Sequence, residues 1–170
     1  MVKIFTSSAC DLPEDLTSKY EIRKAQCYVV IDNKSHEDRE ISPDEIYAEL
    51  AHGKRITTSA PPPEEYKKVI TQDWLDTDDT AVVLTLPRKL SMDYNSAVKA
   101  ASELRDEYNG RKHIEVIDSK AVTAPLGLTA VRVAERLNGY KELLKEYKEG
   151  ISEYLKEQIE NIRKRIRVYG

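Results

Sequence analysis

Short apolar segments alternate along this chain with stretches long enough to form helices, and this alternation limits the fold more than any other feature. Each apolar segment is rich in β-branched residues and too short for a buried helix, which predicts strands. The predicted strands are VKIF (2–5), QCYVVI (26–31), AVVLTL (81–86) and HIEVI (113–117). Strands joined by helix-length crossovers form a mainly parallel sheet with helices on its faces. We therefore predict an α/β fold.

Helical patterns fill most of the chain between and after these strands. Capping residues, prolines at first helical positions and apolar spacings of three and four set their limits. The predicted helices are 43–51, 63–71, 91–108, 123–137 and a long amphipathic one, 140–165. At 170 residues, we expect one domain, 1–170, with a single core.

The composition argues against several classes of function. The net charge is −3 with 34% charged residues, so no basic field points to a nucleic-acid partner. The start, MVKIFTSS, does not resemble a signal peptide, and no segment is apolar enough to span a membrane, so we expect a cytoplasmic protein. The cysteines and histidines are too scattered for a metal or redox site; they are Cys10, Cys27, His36, His52 and His113.

Residues 56–63 read ITTSAPPP, a β-branched run that presents hydroxyl groups and then stops at three prolines. Proline lacks an N–H donor and holds the preceding residue extended, so the segment is neither a helix nor a central strand. We predict a stiff loop that presents Thr57, Thr58 and Ser59. The alternative is an ordinary turn before the helix that starts near Glu64.

Three polar loops follow the predicted parallel strands: SSACD (7–11), PRKLS (87–91) and DSKAVT (118–123). In open α/β sheets, ligands bind beyond the carboxyl ends of the strands, where such loops meet. Ser91 lies between a strand and a helix, where a hydroxyl and free N–H groups can hold a carboxylate or a phosphate. The alternative is that Ser91 only caps its own helix.

The motifs of common enzymes are missing from the sequence. There is no G-x-S-x-G around any serine, no P-loop and no G-x-G-x-x-G, which argues against a hydrolase elbow and against a nucleotide cradle. His113 and Asp118 flank a strand without any sign that they reach Ser91. We therefore expect a binding protein without catalysis of its own.

Five motifs, in order and at matching spacings, resemble those of the DegV family of fatty-acid-binding proteins. The third matches the family's Thr-Ser-Gln-Pro loop, and the fourth its Leu-Ser-Gly-Thr-Tyr-x-Ser-Ala motif. The resemblance covers about residues 2–138 and implies the amino-terminal domain of that family. The motifs are SSACDLP (7–13), EISPDEIY (40–47), TTSAPPPEEY (57–66), KLSMDYNSA (89–97) and VIDSK followed by PLGL (116–128).

The resemblance implies a function and a site. In the family, the loop threonine and the serine of the Leu-Ser-Gly motif hydrogen-bond the carboxylate of a long-chain fatty acid, and the acyl chain enters an apolar tunnel. These positions are Thr58 and Ser91 here. The family presents its ligand to a separate ATP-dependent fatty acid kinase and uses no cofactor beyond the bound acid. The residues expected to support the site are Ser8, Ser59, Met92, Asp118 and Ser119.

The chain departs from the family pattern at the site and in its length. The family's Gly-Thr after the serine is Met92-Asp93 here, its first-loop aspartate is Ser7, and its glutamine is Ala60. An aspartate pointing into the site would repel a bound carboxylate at that helix start. The family's second domain, which roofs the ligand, is expected to be absent.

Without that roof, self-association through the 140–165 helix would cover exposed apolar surface. The alternative function is a domain of this fold that has lost lipid binding and serves as an interaction or self-assembly module.

Overall fold

The computed structural model describes residues 2–74, 80–111 and 113–139, together with positions 157, 158, 160, 161 and 164. The strands are β1 (Val2–Ser7), β2 (Ile22–Ala25), β3 (Tyr28–Ile31), β4 (Lys34–Glu37), β5 (Ile56–Ser59), β6 (Thr80–Thr85) and β7 (Ile114–Asp118). The helices are α1 (Glu14–Lys19), α2 (Pro43–Ala51), α3 (Pro63–Trp74), α4 (Asp93–Glu107) and α5 (Thr123–Gly139). Single 3-10 turns follow β1 and β4.

The larger sheet is parallel throughout, which confirms the predicted α/β class. Its strand order is β2-β1-β6-β7, with every neighbouring pair parallel. All six residues of β6 are buried, as expected of a strand covered on both faces. Because the strands run in one direction, the loops after β1, β6 and β7 meet at one edge, as the sequence predicts.

Helices cover both faces of this sheet and divide the core in two. The residues of β1 alternate between the faces, with Ile4 in one cluster and Phe5 in the other, because successive side chains of a strand point to opposite sides. On the first face lie α1 and α5, through residues such as Leu16 and Leu126. On the second face lie α3 and α4, through Tyr66, Ile70, Ala97, Ala100 and Leu104.

A second, antiparallel sheet of order β4-β3-β5 corrects two expectations. The segment 26–31 was expected in the parallel sheet, but β3 pairs antiparallel with β4 and β5. Asp32 and Asn33, both with positive φ, join β3 to β4 in a tight hairpin, the turn chemistry that reverses a chain. Residues 56–59 were expected in a loop, but they form the edge strand β5, and the loop begins only at Ala60.

Besides β5, three further elements in the described part of the chain were not predicted, namely α1, β2 and β4. Each is only four or six residues long, too short to show a clear hydrophobic period. In β2, only Ile22 and Ala25 are buried, and the two residues between them are charged. Pairing with β1 therefore decides that this segment is a strand, because its own composition does not.

The limits of the longer helices agree with the prediction to within three residues. α4 begins at Asp93 rather than at Ser91, and α3 extends to Trp74. Most of the predicted final helix, including 140–156, lies outside the described residues, although positions 157, 158, 160, 161 and 164 are helical. Gln158 accepts a hydrogen bond from Arg136 of α5. None of the helices in the described ranges has the length and hydropathy that a membrane span requires.

Gly127 of α5 lies directly against the turn that follows β1. A Cβ atom at this position would meet the Cys10 carbonyl oxygen and would lie 2.8 Å from Cγ of Leu12. The Cys10 carbonyl oxygen is a backbone atom, so it cannot move away without shifting the main chain. The glycine of the PLGL motif therefore allows α5 to approach the carboxyl end of β1.

Gly127→Ala should lower the free energy of unfolding by about 1–3 kcal/mol, because the added methyl group overpacks this contact. Chemical denaturation followed by circular dichroism measures the change. The matched control is Leu128→Ala at the next, half-exposed position, for which a change within about 0.5 kcal/mol is expected. Equal effects of both substitutions would contradict the close-packing role of Gly127.

Candidate functional site

An open cleft of about 470 Å³ lies between the loop after β5 and the loop after β6. It brings together Thr58 and Ser91, the two residues that sequence reasoning placed at the head of the site, and also Ser59 and Met92. The remaining lining residues are Ala60, Pro61, Pro62, Leu90 and Ser96. Two segments separated by about thirty positions in the sequence thus form one site.

The first wall of the cleft depends on β5 and on the prolines that follow it. Thr58 pairs with Val29 of β3 and therefore lies on the same face of the small sheet as that buried residue, whereas Thr57 lies on the opposite face. The prolines then hold the chain extended until Pro63 begins α3. The exposed Thr58 hydroxyl makes no hydrogen bond with the described part of the chain.

The second wall is a tight turn after β6. The N–H groups of Leu90 and Ser91 both donate to the carbonyl oxygen of Pro87, at 2.8 and 3.1 Å. Met92, rather than Ser91, occupies the N-cap position of α4. The Ser91 hydroxyl oxygen nevertheless accepts the Asp93 N–H at 3.2 Å. One of its two lone pairs is engaged in this way, and its proton, which no group in the described part of the chain accepts, is available to donate to a ligand.

None of the described residues that line the cleft is charged. Its polar groups are the hydroxyls of Thr58, Ser59, Ser91 and Ser96, and the start of α4 adds backbone N–H groups that have no partner within the helix. Leu90 and Met92 are 69% and 63% exposed at the rim. The cleft therefore combines neutral donors for an anion with apolar surface beside them.

Asp93, the residue expected to disturb such a site, does not line the cleft. Its side chain is fully buried and accepts three hydrogen bonds. Oδ1 accepts the Tyr66 hydroxyl at 2.6 Å. Oδ2 accepts the Ser7 hydroxyl at 3.0 Å and the Leu86 N–H at 2.8 Å. The carboxylate thus points under the floor of the site, towards β1 and α3, rather than towards the position of a ligand.

Burial changes the protonation of this network. Desolvation raises the pKa of the Asp93 carboxyl, and the hydrogen bonds from Tyr66, Leu86 and Ser7 oppose that rise. The pKa of the fully buried Tyr66 is raised well above its ordinary value, by burial first and then by the charge of Asp93. Tyr66 therefore remains a proton donor at all ordinary pH values, as its short hydrogen bond to Oδ1 requires.

Sequence reasoning missed the parts played by Tyr66 and Ser7. From the sequence, Ser7 is only a replacement for the family's aspartate, and Asp93 is a departure from the family's threonine that would repel a carboxylate if it pointed into the site. A contact between Ser7 and Asp93 could have been predicted from their positions at the carboxyl edge of the sheet. Ser7 ends β1, and Asp93 begins α4. Two unusual residues on neighbouring segments of one sheet edge predict a contact.

The other residues expected to support the site lie outside the cleft. Ser8 lines a separate cleft near α1, and its hydroxyl accepts the Cys27 N–H at 2.9 Å. Asp118 accepts the Lys120 N–H at 3.0 Å, and its second oxygen lies 3.8 Å from Nε of Arg88. The buried Ser119 hydroxyl bonds the backbone of Ala121. All three side chains are thus engaged in shaping loops.

The cysteines and acidic side chains give no sign of a metal or redox centre in the part of the chain that is described. No group of three His, Cys, Asp or Glu side chains there could hold a metal ion. Burial raises the pKa of both the Cys10 and the Cys27 thiols, which makes them less reactive.

Comparison with known proteins identifies relatives of this arrangement. The model of the DegV family, described as a family of uncharacterised proteins, matches residues 1–168. A DegV domain-containing protein of Caldanaerobacter subterraneus is 36% identical over 134 residues, which are 78% of this chain and 46% of that protein. A fatty acid-binding protein of Thermotoga maritima is 33% identical over 156 residues, 87% of this chain and 52% of that protein.

A solved structure shares the fold. The structure described as fatty acid binding of a DegV family protein from Thermus thermophilus matches with a TM-score of 0.79 and 27% identity. The match covers 96% of this chain and 53% of that one. The chain therefore spans about half the length of the relatives it matches.

Asp93→Ala should lower the free energy of unfolding on the order of 3 kcal/mol, because it leaves the buried hydroxyls of Ser7 and Tyr66 and the N–H of the half-buried Leu86 without their acceptor. Urea denaturation at pH 7 measures the loss. The control is Asp106→Ala, an exposed aspartate on the same helix, with an expected change within about 0.5 kcal/mol. A loss no larger than that of the control would contradict the network.

The pH dependence of stability should separate Asp93 from the other carboxylates. Because burial raises the pKa of the folded carboxyl, its contribution to stability is full below the unfolded pKa of about 3.9 and is lost as the pH rises through the folded pKa. The free energy of unfolding of the wild type minus that of Asp93→Asn should therefore increase from pH 7 to pH 4. Denaturation curves across this range test it, and a constant difference would contradict the raised pKa.

Proposed function

The chain belongs to the DegV family, and from this premise we propose that it binds a long-chain fatty acid by its carboxylate in the cleft between Thr58 and Ser91. One observation carries the proposal: the end of β5 and the loop after β6, which are distant in the sequence, bring these hydroxyls to one uncharged cleft with apolar residues at its rim. Ser59 and Met92 complete the lining on the two sides. The names of the Thermotoga and Thermus relatives, which describe fatty acid binding, support the same ligand.

The chemistry of the cleft suits a carboxylate head group. A carboxylate that leaves water needs hydrogen-bond donors, and burying it without them is costly. The Thr58 hydroxyl has no other partner among the described residues, and the Ser91 proton is available to donate. Hydrogen bonds to a charged acceptor are stronger than neutral ones, so two hydroxyls and the first amides of α4 can orient the acid without a lysine or arginine.

The acyl chain supplies most of the affinity in this proposal. Each buried methylene contributes about 0.8 kcal/mol, so a dozen would offer on the order of 10 kcal/mol before the costs of ordering are subtracted. Leu90 and Met92, the large exposed apolar residues at the rim, are the first surfaces that the chain would meet. The relatives are about twice as long, and we propose that a second domain or partner covers the rest of the acyl chain.

The proposed role is that of a carrier. The cleft offers donors and apolar contacts and, within the described residues, no nucleophile activated by a base, so binding rather than turnover is its chemistry. The resemblance to the family extends the proposal to a separate ATP-dependent fatty acid kinase that receives the bound acid in the cytoplasm, where ATP is available. Self-association through residues 140–165 remains a prediction, because most of that segment lies outside the described residues.

Thr58→Ala and Ser91→Ala should each weaken palmitate binding about 10- to 100-fold, because each removes a hydrogen bond to a charged group worth about 1.5–3 kcal/mol. Isothermal titration or a fluorescent fatty-acid competition assay measures the affinity. The matched controls are Thr57→Ala, on the opposite face of β5, and Ser102→Ala, exposed on α4. Both controls should bind palmitate as the wild type does.

Native mass spectrometry of the purified wild type, followed by extraction of any released acid, tests the proposal independently of added ligand. A stoichiometric fatty acid that is lost in both site variants is the expected result. A protein that carries no lipid and binds neither palmitate nor oleate would refute fatty-acid binding. Such a result would favour the alternative of an interaction or self-assembly module, and the oligomeric state in the same spectrum would test that alternative.

A further inference from the structure

We propose that Asp93 is a positioning residue of the cleft, whose buried carboxylate joins the segment that follows Thr58 of β5 to the loop that carries Ser91. This inference rests on the proposed function, which assigns those two hydroxyls to one ligand. The carboxylate itself does not line the cleft. Its effect on a ligand is transmitted through the segments that it holds.

One carboxylate oxygen controls the first wall. Oδ1 accepts the Tyr66 hydroxyl at 2.6 Å, and Tyr66 lies in the first turn of α3, three residues after Pro63. The Tyr66 ring is fully buried in the core between α3, α4 and the sheet. A bond from its hydroxyl to Asp93 therefore fixes the start of α3 relative to the start of α4, and with it the loop that leads back to Thr58.

The other oxygen controls the second wall. Oδ2 accepts the Leu86 N–H at 2.8 Å, and Leu86 is the residue directly after β6, where the chain turns towards Ser91. The same oxygen accepts the Ser7 hydroxyl at 3.0 Å, which ties the turn to the end of β1. The loop 87–92 is thus held at both ends by a single residue, through Leu86 at its start and through Asp93 itself at its end.

The backbone of Asp93 acts on the binding group directly. Its N–H donates to the Ser91 hydroxyl oxygen at 3.2 Å. This bond occupies an acceptor site of the hydroxyl and leaves its proton to point elsewhere, which suits a donor to an anion. The side chain holds the helix start in place, and the amide of the same residue orients the serine that contacts the ligand.

The number of donors explains why an amide can replace the carboxylate but a methyl group cannot. In Asp93→Asn, the amide oxygen can take the place of Oδ2 and keep two of the three donors, and the NH₂ group can donate to the Tyr66 oxygen, so only the Tyr66 proton loses its acceptor. In Asp93→Ala, all three donors lose their acceptor. The asparagine also removes a negative charge close to the bound carboxylate. We therefore expect Asp93→Asn to bind palmitate at least as tightly as the wild type, and Asp93→Ala to bind it more weakly.

A double-mutant cycle tests whether Asp93 acts through Ser91. Palmitate affinity is measured for the wild type, Ser91→Ala, Asp93→Ala and the double variant. The expected result is coupling: Ser91→Ala weakens binding 10- to 100-fold in the wild type but less than about threefold once Asp93 is alanine. Independent losses that multiply would overturn the positioning role. The matched control is the same cycle with Asp106→Ala, an exposed aspartate of α4, in which the Ser91→Ala effect should be unchanged.

A milder variant keeps the test decisive if Asp93→Ala does not fold. Tyr66→Phe removes a single hydroxyl from the network and leaves the ring in the core. Its cycle with Thr58→Ala should show coupling in the same direction, reducing the Thr58→Ala effect at least threefold, because the Tyr66 hydroxyl holds the wall that carries Thr58. A smaller reduction would overturn the proposal.

A readout without lipid separates failure of this inference from failure of the proposed function. A wild type that binds no fatty acid would refute the proposed function alone. Hydrogen exchange, followed by NMR, then measures the Leu90 and Ser91 amides, which donate to Pro87. They should exchange at least tenfold faster in Asp93→Ala than in Asp93→Asn, over and above any change at the buried Val83 of β6, whose amide reports the change in global stability. Equal rates at Leu90 and Ser91 would overturn the positioning role.

Discussion

The buried carboxylate of Asp93 is the interaction on which the carboxyl edge of this protein depends. Removing a charged group from water is costly unless hydrogen-bond donors replace the water. The donors here come from the end of β1, the residue after β6 and the first turn of α3, through Ser7, Leu86 and Tyr66. Because these segments are held by one side chain, the loops between them have a fixed geometry. The cleft is a consequence of that arrangement, since Tyr66 follows one wall, Leu86 precedes the other, and both residues are bonded to Asp93.

The same interaction explains how a carboxylate can lie at the start of α4 without lining an anion site. The resemblance to the DegV family implies an aspartate at position 7 and a threonine at position 93, where this chain has Ser7 and Asp93. The two side chains are hydrogen-bonded here, so one carboxylate and one hydroxyl are retained with their positions exchanged. The Asp93 carboxylate lies in the core, and the cleft itself is lined by hydroxyl and apolar groups.

The sequence was sufficient to predict the parallel sheet and most helices, because AVVLTL and the helix caps carry strong local signals. It was insufficient for β2, whose two charged residues hide a strand that only pairing with β1 creates. The segment ITTS was interpreted through the prolines that follow it, whereas its β-branched residues pair with β3. The assignment of Thr58 and Ser91 to one binding site came from the family resemblance. The role of Tyr66 could not be predicted, because burial and a contact across twenty-seven positions decide it.

If Thr58 and Ser91 bind the carboxylate of a fatty acid as proposed, ¹³C NMR of palmitate labelled at its carboxyl carbon detects the contact. We expect one bound carboxyl resonance, distinct from that of free palmitate, that shifts in Thr58→Ala and in Ser91→Ala but not in Thr57→Ala. A bound resonance that neither site variant moves would place the head group elsewhere. The absence of any bound resonance at saturating palmitate would contradict fatty-acid binding itself.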